Sequence, residues 1–172
     1  VEGARAAIEA NRRRIDDLNV YPVPDGDTGT NLTLTVRAID EALHKDGPED
    51  RGGLAKEVAR AALMGARGNS GVILSQIVRG ATDSLAESDD LARAFRSASD
   101  AAYRAVKKPV EGTMLTAIRA MADAAEHGGD LATIIARGDD TVAQTRDMLP
   151  VLKEAGVVDA GAAGLVEIIR GI

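Results

Sequence analysis

Apolar residues recur along this chain at intervals of three and four rather than in alternation, the spacing of helices that each bury one face. Ala4, Ala7, Ile8, Ile15 and Leu18 predict a first helix over residues 2–18, stopped ahead of Pro22 and Pro24. After the segment 25–30, Leu32, Val36, Ile39 and Leu43 predict a second, closed by Gly47-Pro48. Leu54, Val58, Ala61 and Ala62 mark a third, ended by the glycines of 65–68, and Ser70 stands where a hydroxyl can cap a fourth running through Ile73 and Ile77. Asp89 or Asp90 is placed to cap a fifth helix with Leu91, Phe95, Ala98, Ala102 and Val106 on one face, ended by Pro109. Thr113 to about His127 predicts a sixth, with Met114, Ile118, Met121 and Ala125 inward. Leu131, Ile134, Ile135, Val142, Thr145 and Met148 predict a seventh with a break at Gly138, and Pro150 opens a short turn or helix. A loop over 157–164 then leads into a last helix.

Seven or eight antiparallel helices with short connections make an all-α bundle or helical barrel. No linker, repeat or low-complexity stretch divides the 172 residues, so one domain is expected. The chain opens on Val1, and its last apolar run is still in progress at Ile172, the reading expected of a domain cut from a longer protein.

Composition agrees with close-packed helices. Alanine is abundant, and Phe95, Tyr21 and Tyr103 are the only aromatic residues, too few for a β-sandwich core. Cysteine is absent, which excludes disulfide and thiolate chemistry and suits a cytoplasmic setting. A net charge of −6 argues against a general nucleic-acid binder, and Arg12-Arg13-Arg14 reads as a solvated helix face. No stretch approaches the ~20 apolar residues of a membrane span.

Four connections carry chemistry beyond a turn. In the segment 19–31, Asp25 and Asp27 stand one residue apart in a loop stiffened by prolines and bent by glycines, an arrangement that can converge on a hard, oxygen-preferring cation such as magnesium. The amides opening the next helix can meet a phosphate. An acidic turn capping a helix suits the same residues; an EF-hand does not, because its glycine and glutamate places hold Thr30 and Val36. The glycine-rich turn Gly65-Ala66-Arg67-Gly68-Asn69-Ser70-Gly71 can cradle an anion or simply cap a helix, and it lacks the Gly-Lys-Ser/Thr ending of a P-loop. In 108–116, Gly112-Thr113 opens a helix and Met114 offers a soft apolar contact. In 156–164, Asp159 lies among glycines, which also suits a cap. His44 and His127 fall near helix C-termini, where an imidazolium meets the dipole without a catalytic role, and no Cys or His spacing fits zinc.

Over Asp17 to Leu165 these four segments, in this order, resemble the N-terminal ATP-binding domain of the bacterial fatty acid kinases, which are related to the L subunit of dihydroxyacetone kinase. They are residues 18–31, 63–76, 108–116 and 152–161. The resemblance implies an eight-helix barrel with ATP or ADP at one end and two magnesium ions bridging aspartates and phosphates. It implies that Asp25 and Asp27 are the metal-binding and catalytic acids, that Thr28, Gly29, Thr30 and Asn31 line the phosphates, and that Gly68, Asn69, Ser70 and Gly71 make a second phosphate contact. Thr113 and Met114 correspond to an adenine-side contact, and Asp159, Ala160 and Gly161 to a further edge of the pocket.

Departures separate the two relatives. A third metal-binding aspartate of the dihydroxyacetone kinase protein has Asn19 as its nearest counterpart, whose amide oxygen remains a metal-ligand candidate. Thr28 replaces a histidine, and Glu111-Gly112 replaces Asp-Lys; these differences point toward the fatty acid kinase group. The implied reaction moves the ATP γ-phosphoryl to a fatty acid carboxylate presented by a separate fatty-acid-binding protein, with a homodimer possible through regions outside this chain. The alternatives are a kinase for dihydroxyacetone or another small polyol, a Mg-nucleotide-binding regulatory domain, and a plain helical interaction module.

Overall fold

The computed structural model describes residues 1–44 and 50–172, and the proposed stop at Gly47-Pro48 lies outside the described residues. Among those described, nine helices and no strand are present: α1 (Glu2–Asp17), α2 (Thr28–Leu43), α3 (Arg51–Gly65), α4 (Gly68–Glu87), α5 (Leu91–Ala105), α6 (Met114–Glu126), α7 (Leu131–Met148), α8 (Pro150–Ala155) and α9 (Ala160–Arg170). Each of the helices α1 to α7 packs on its successor, and α9 packs on α1, α2, α6 and α7, closing the set into a ring. This is the all-α barrel expected from the periodicity, with the one short helix α8 in addition.

The core is built from Ile8, Ile15, Leu32, Leu74, Ile118, Met121, Ile134, Leu165 and Val166, all essentially inaccessible. Between them sit alanines, including Ala62, Ala98, Ala102, Ala117, Ala122 and Ala162. Small side chains bring helix axes together, so dispersion contacts rather than aromatic bulk fill the interior. The closure between first and last helices is tightest of all: a Cβ placed on Gly3 would lie 2.1 Å from the Gly171 carbonyl oxygen. Thr35 and Thr145 are buried without penalty because their hydroxyls donate to the carbonyls of Asn31 (2.8 Å) and Val142 (2.6 Å).

Local signals mark most ends correctly. Asp90 caps α5, Thr113 caps α6 and Pro150 is the first residue of α8. His44 and His127 are the C-caps of α2 and α6, each with its ring Nδ1 on the carbonyl four residues earlier. Five expectations are corrected. Helix α2 begins at Thr28, inside the expected loop, and α9 begins at Ala160, shortening the loop expected over 157–164. Helix α4 begins at Gly68, so Ser70 lies in its first turn and does not cap it; Arg67 holds the cap position without a side-chain bond. Helix α7 runs unbroken through Gly138, because that glycine admits close packing: a Cβ there would meet Val166 Cγ2 at 2.9 Å and Met121 Sδ at 3.1 Å. Leu91, assigned to an inward face, is exposed at the first position of α5.

The α4–α5 contact supplies a test of this packing. A Cβ on Gly80 would fall 2.3 Å from the Ser97 carbonyl oxygen, and backbone cannot give way as a side chain can. Gly80→Val is expected to lower stability by at least ~2 kcal/mol, read as a fall in the urea midpoint; an unchanged midpoint would show the two helices are not in backbone contact.

Candidate functional site

In an up-and-down ring, alternate helix starts face the same end. Here α1, α3 and α5 finish, and α2, α4, α6 and α9 start, around one cavity of about 620 Å³. From the α1–α2 connection come Asn19, Asp25, Asp27, Thr28 and Asn31; from the start of α4, Gly68, Asn69 and Ser70; from α6 and α9, Thr113, Met114, Asp159 and Gly161. Segments far apart in sequence thus meet around one cavity. Gly29, Thr30, Gly71 and Ala160 are not among the lining residues.

The helix starts around the cavity are of two kinds. Aspartate is the N-cap of α2, α3, α5, α7 and α9, and in four of these helices its carboxylate accepts from a backbone amide in the first turn. Asp27 is the exception, making no such bond. The amide of Thr30 is instead taken by Asp16 Oδ1 of α1 at 2.9 Å, and the Thr30 hydroxyl donates to Asp16 Oδ2 at 2.9 Å. Thr30 therefore ties α2 to α1, with Arg12 completing the cluster by donating to the Thr30 hydroxyl at 3.2 Å. Arg14 reaches Glu167 of α9 at 2.9 Å, so two of the three consecutive arginines hold helices together. Helix α4 likewise has no side-chain cap, which leaves the amides of Gly68, Asn69 and Ser70 ahead of the first intrahelical bond, Gly71 N–H to Arg67 O. Two helix starts with open amides carry a positive partial charge, and an anion between them is favoured.

Beside these ends stand the two loop carboxylates. Asn19, buried, donates from Nδ2 to Asp25 Oδ1 (2.6 Å) and to the Val23 carbonyl (3.3 Å), while its Oδ1 accepts from the Thr28 hydroxyl (2.9 Å). Its carboxamide thus organises the loop and orients Asp25. One Asp25 oxygen and the whole Asp27 carboxylate keep no partner within the loop. Among the described residues no three His, Cys, Asp or Glu side chains gather into a metal-holding group. The three carboxylate oxygens left without a partner, in the same cavity as the open amides, nevertheless suit magnesium, which takes one or two carboxylates and fills its remaining positions with water and phosphate oxygens.

The starts of α6 and α9 are closed by their own caps, and apolar side chains also line the cavity. Helix α6 starts in a reciprocal capping box between Thr113 and Thr116, and α9 starts with Asp159 Oδ1 accepting from Ala162 N–H at 2.7 Å. Ile73, Val106, Val110, Met114 and Leu115 line the cavity, together with Lys107 and Lys108. Val106, Lys107 and Val110 are site residues that the motifs do not single out. Their wall is set by how α5 meets α6, and the Lys-Lys-Pro stretch, which by itself marks only a helix end, is the one local signal for it. Asp159 is almost wholly inaccessible, and burial pushes its carboxyl up to about 6 against the backbone amides of Ala162, Met114 and Gly161, which favour the charged form.

Comparison with known proteins follows the same lines. The DAK2 domain matches residues 22–172. An uncharacterized protein of Staphylococcus saprophyticus is 46% identical, over 91% of this chain and 31% of its own length. A second, from Staphylococcus haemolyticus, is 42% identical over 99% of this chain and 33% of its own. The chain thus spans about a third of the length of the curated relatives it matches. In three dimensions it is similar to the dihydroxyacetone kinase from C. freundii in complex with AMP-PNP and Mg2+, with a TM-score of 0.78 at 19% identity over 99% of this chain and 32% of that one. The native form of that kinase gives 0.76 at 17%. At such identities the likeness establishes the fold. Among the described residues, no helix is long and apolar enough to cross a membrane.

The buried Asp159 makes stability depend on pH in a defined direction. Its folded-state pKa of about 6 lies above the ordinary value near 3.8, so the folded state holds the proton longer than the unfolded chain. Its contribution is therefore intact below pH ~4, falls as pH rises toward ~6, and is constant above that. The stability difference between the wild-type chain and Asp159→Asn is expected to move against the wild type by on the order of 1–3 kcal/mol between pH 4 and 7. Urea titrations at both pH values check this; a difference independent of pH would show that the carboxyl titrates normally.

Proposed function

The chain belongs to the DAK2-domain family, and on that premise we propose that it is the Mg-ATP-binding domain of a kinase that phosphorylates a fatty acid carboxylate to an acyl phosphate. The observation that carries this reading is the pairing of the Asp27 carboxylate and the second Asp25 oxygen with two helix starts that lack side-chain caps, in a cavity that apolar side chains also line. Such a cavity has separate places for a metal-bound polyphosphate and for a flat, weakly polar base. The solved relative carrying AMP-PNP and Mg2+ has the same fold, which supports the nucleotide and the metal.

In this reading Asp25 and Asp27 hold magnesium, with Asn19 orienting Asp25. The amides that open α2 and α4, with Asn31, Asn69 and the Ser70 hydroxyl, receive phosphate oxygens, and Met114 with its apolar neighbours faces the adenine. Magnesium held there would neutralise phosphate charge. The protein's own work is then to position reactants and to keep that charge away from bulk water. A carboxylate acceptor is already ionised at neutral pH, its ordinary pKa being ~4–5, so no side chain has to act as a base.

A second reading, a kinase for a small polyol, takes its acceptor from the printed name of the solved relatives, whose likeness to this chain is one of fold. Asn19, Thr28 and Glu111-Gly112, which depart from the pattern of the dihydroxyacetone kinase L subunit that the chain resembles, support the fatty acid reading. The acyl acceptor enters on a separate fatty-acid-binding protein, and the remaining regions of a longer chain provide its docking and any dimer contact.

Two outcomes follow. Asp25→Asn or Asp27→Asn is expected to weaken Mg-dependent ATP binding at least about tenfold, measured calorimetrically, with the helical circular dichroism intact, because an exposed acidic loop adds little to the core. Unchanged affinity in both variants would remove the metal assignment. The 172-residue chain alone is expected to bind Mg-ATP yet transfer no phosphoryl group to free oleate. Proximity and orientation supply roughly 7–11 kcal/mol of barrier lowering that an unpositioned acceptor lacks. Acyl phosphate trapped as the hydroxamate, at a rate dependent on Asp25, would show that this chain positions the acceptor itself.

A further inference from the structure

The α5–α6 connection, residues 106–113, has no regular structure, yet Val106, Lys107, Lys108, Val110 and Thr113 from it line the cavity. Something must hold a wall that has no backbone ladder of its own. The anchor is Glu111, whose side chain is not among the cavity-lining groups and gathers four donors from the two flanking helices. Arg119 of α6 binds it in fork geometry, Nη1 to Oε1 at 2.9 Å and Nη2 to Oε2 at 2.7 Å. The Thr116 hydroxyl donates to Oε2 at 2.7 Å, and the Tyr103 hydroxyl of α5 donates to Oε1 at 3.1 Å. The Arg119 guanidinium also lies 5.1 Å from the centre of the Tyr103 ring.

The network reaches the wall through the backbone. The Thr116 oxygen that donates to Glu111 accepts from the amide of Gly112 at 2.8 Å, and the Thr113 hydroxyl donates to the Val110 carbonyl at 2.8 Å. Gly112 has φ +84° and would place a Cβ 2.8 Å from Met148 Cβ, so the turn is closed from the α7 side as well. Burial by itself would raise the Glu111 carboxyl, but the hydrogen bonds from Thr116, Arg119 and Tyr103 hold it below the ordinary value, so it is ionised throughout the neutral range. Tyr103, partly buried and bonded to that carboxylate, is pushed up to about 12 and stays a donor.

We infer that Glu111 is a positioning residue for nucleotide binding: through Arg119, Thr116 and Tyr103 it fixes the α5–α6 wall against which the base lies, without touching the nucleotide. This rests on the nucleotide reading above. Loosening the clasp therefore weakens recognition of the base while leaving the phosphate contacts, built on α2 and α4, as they were. A residue needed only for folding would weaken both alike.

The test measures Mg-ATP affinity by calorimetry and the displacement of bound Mg-ATP by Mg-tripolyphosphate, which has no base. Glu111→Gln keeps the shape but replaces a carboxylate acceptor of Arg119 with an amide. It is expected to weaken Mg-ATP binding roughly tenfold with tripolyphosphate affinity within about twofold of wild type. Tyr103→Phe, which removes one donor and leaves the arginine fork, is expected to shift the same ratio about two- to threefold, and it stands as the test if Glu111→Gln fails to fold. Equal loss for both ligands, no loss for either, or a wild type from which tripolyphosphate displaces nothing would each overturn the inference. A wild-type chain that binds no Mg-ATP at all would instead overturn the nucleotide reading itself.

Discussion

The open amides at the starts of α2 and α4 are the constraint on which the rest of the site depends. A helix start leaves several N–H groups without partners, and an exposed one is ordinarily closed by the side chain of its own cap. Four helices in this chain do so with aspartate. At α2 the carboxylate in the cap position is withheld from its own helix, and Asp16 of the neighbouring helix satisfies the third residue's amide instead. The substitution keeps α2 anchored while leaving Asp27 and the first amides available to a ligand. Negative carboxylates and positive helix ends then stand side by side, a combination that suits a cation and a polyanion together and neither alone.

The barrel makes this arrangement possible by geometry. Helices that alternate direction around a ring bring every second start to one end, so the α2 and α4 starts share a cavity with those of α6 and α9. Small residues at the crossings let neighbouring helices of the ring approach closely. Gly3 against Gly171 closes the ring, and Gly80 against Ser97 brings α4 onto α5. The connection from α5 to α6 is too irregular to hold itself, and side-chain hydrogen bonds at Glu111 take the place of a backbone ladder there. Part of the cavity is thus shaped by backbone at helix starts, and part by a polar clasp behind an apolar wall.

Much of this is legible in the residues themselves, because helices and caps are local. Spacings of three and four residues locate the helices from α1 to α7; Asp90, Thr113 and Pro150 mark starts through bonds or fixed dihedrals within one turn. The density of Asp, Gly and Pro between Asn19 and Asn31 marks a loop built for chemistry. What local spacing does not tell is which of two similar signals is used locally. Asp27 and Asp159 both precede helices, yet Asp159 caps its helix and is buried, while Asp27 stays open; the choice is made by Asp16 across from α2 and by α6 packed against α9. Gly138 departs from its local signal for a related reason, since a break in an isolated helix becomes an ordinary position once a neighbouring helix packs there, whereas Ser70 falls inside the first turn because α4 already starts at Gly68.

The sequence by itself therefore determined the all-helical class, the order of the helices and the acidic and glycine-rich loops that carry the candidate chemistry, since all of these follow from forces acting within a few residues. The tertiary structure decided which loops meet, that Thr30 turns from the cavity to Asp16 and Arg12, and that Lys107, Val106 and Val110 form a wall held by Glu111. Those outcomes depend on partners between 5 and more than 100 positions away, from Thr116 beside Glu111 to Asp159 in the same cavity as Asp25. Periodicity along the chain marks which face of a helix is buried but not which helix that face meets, because the partner is set by ring closure between segments distant in sequence.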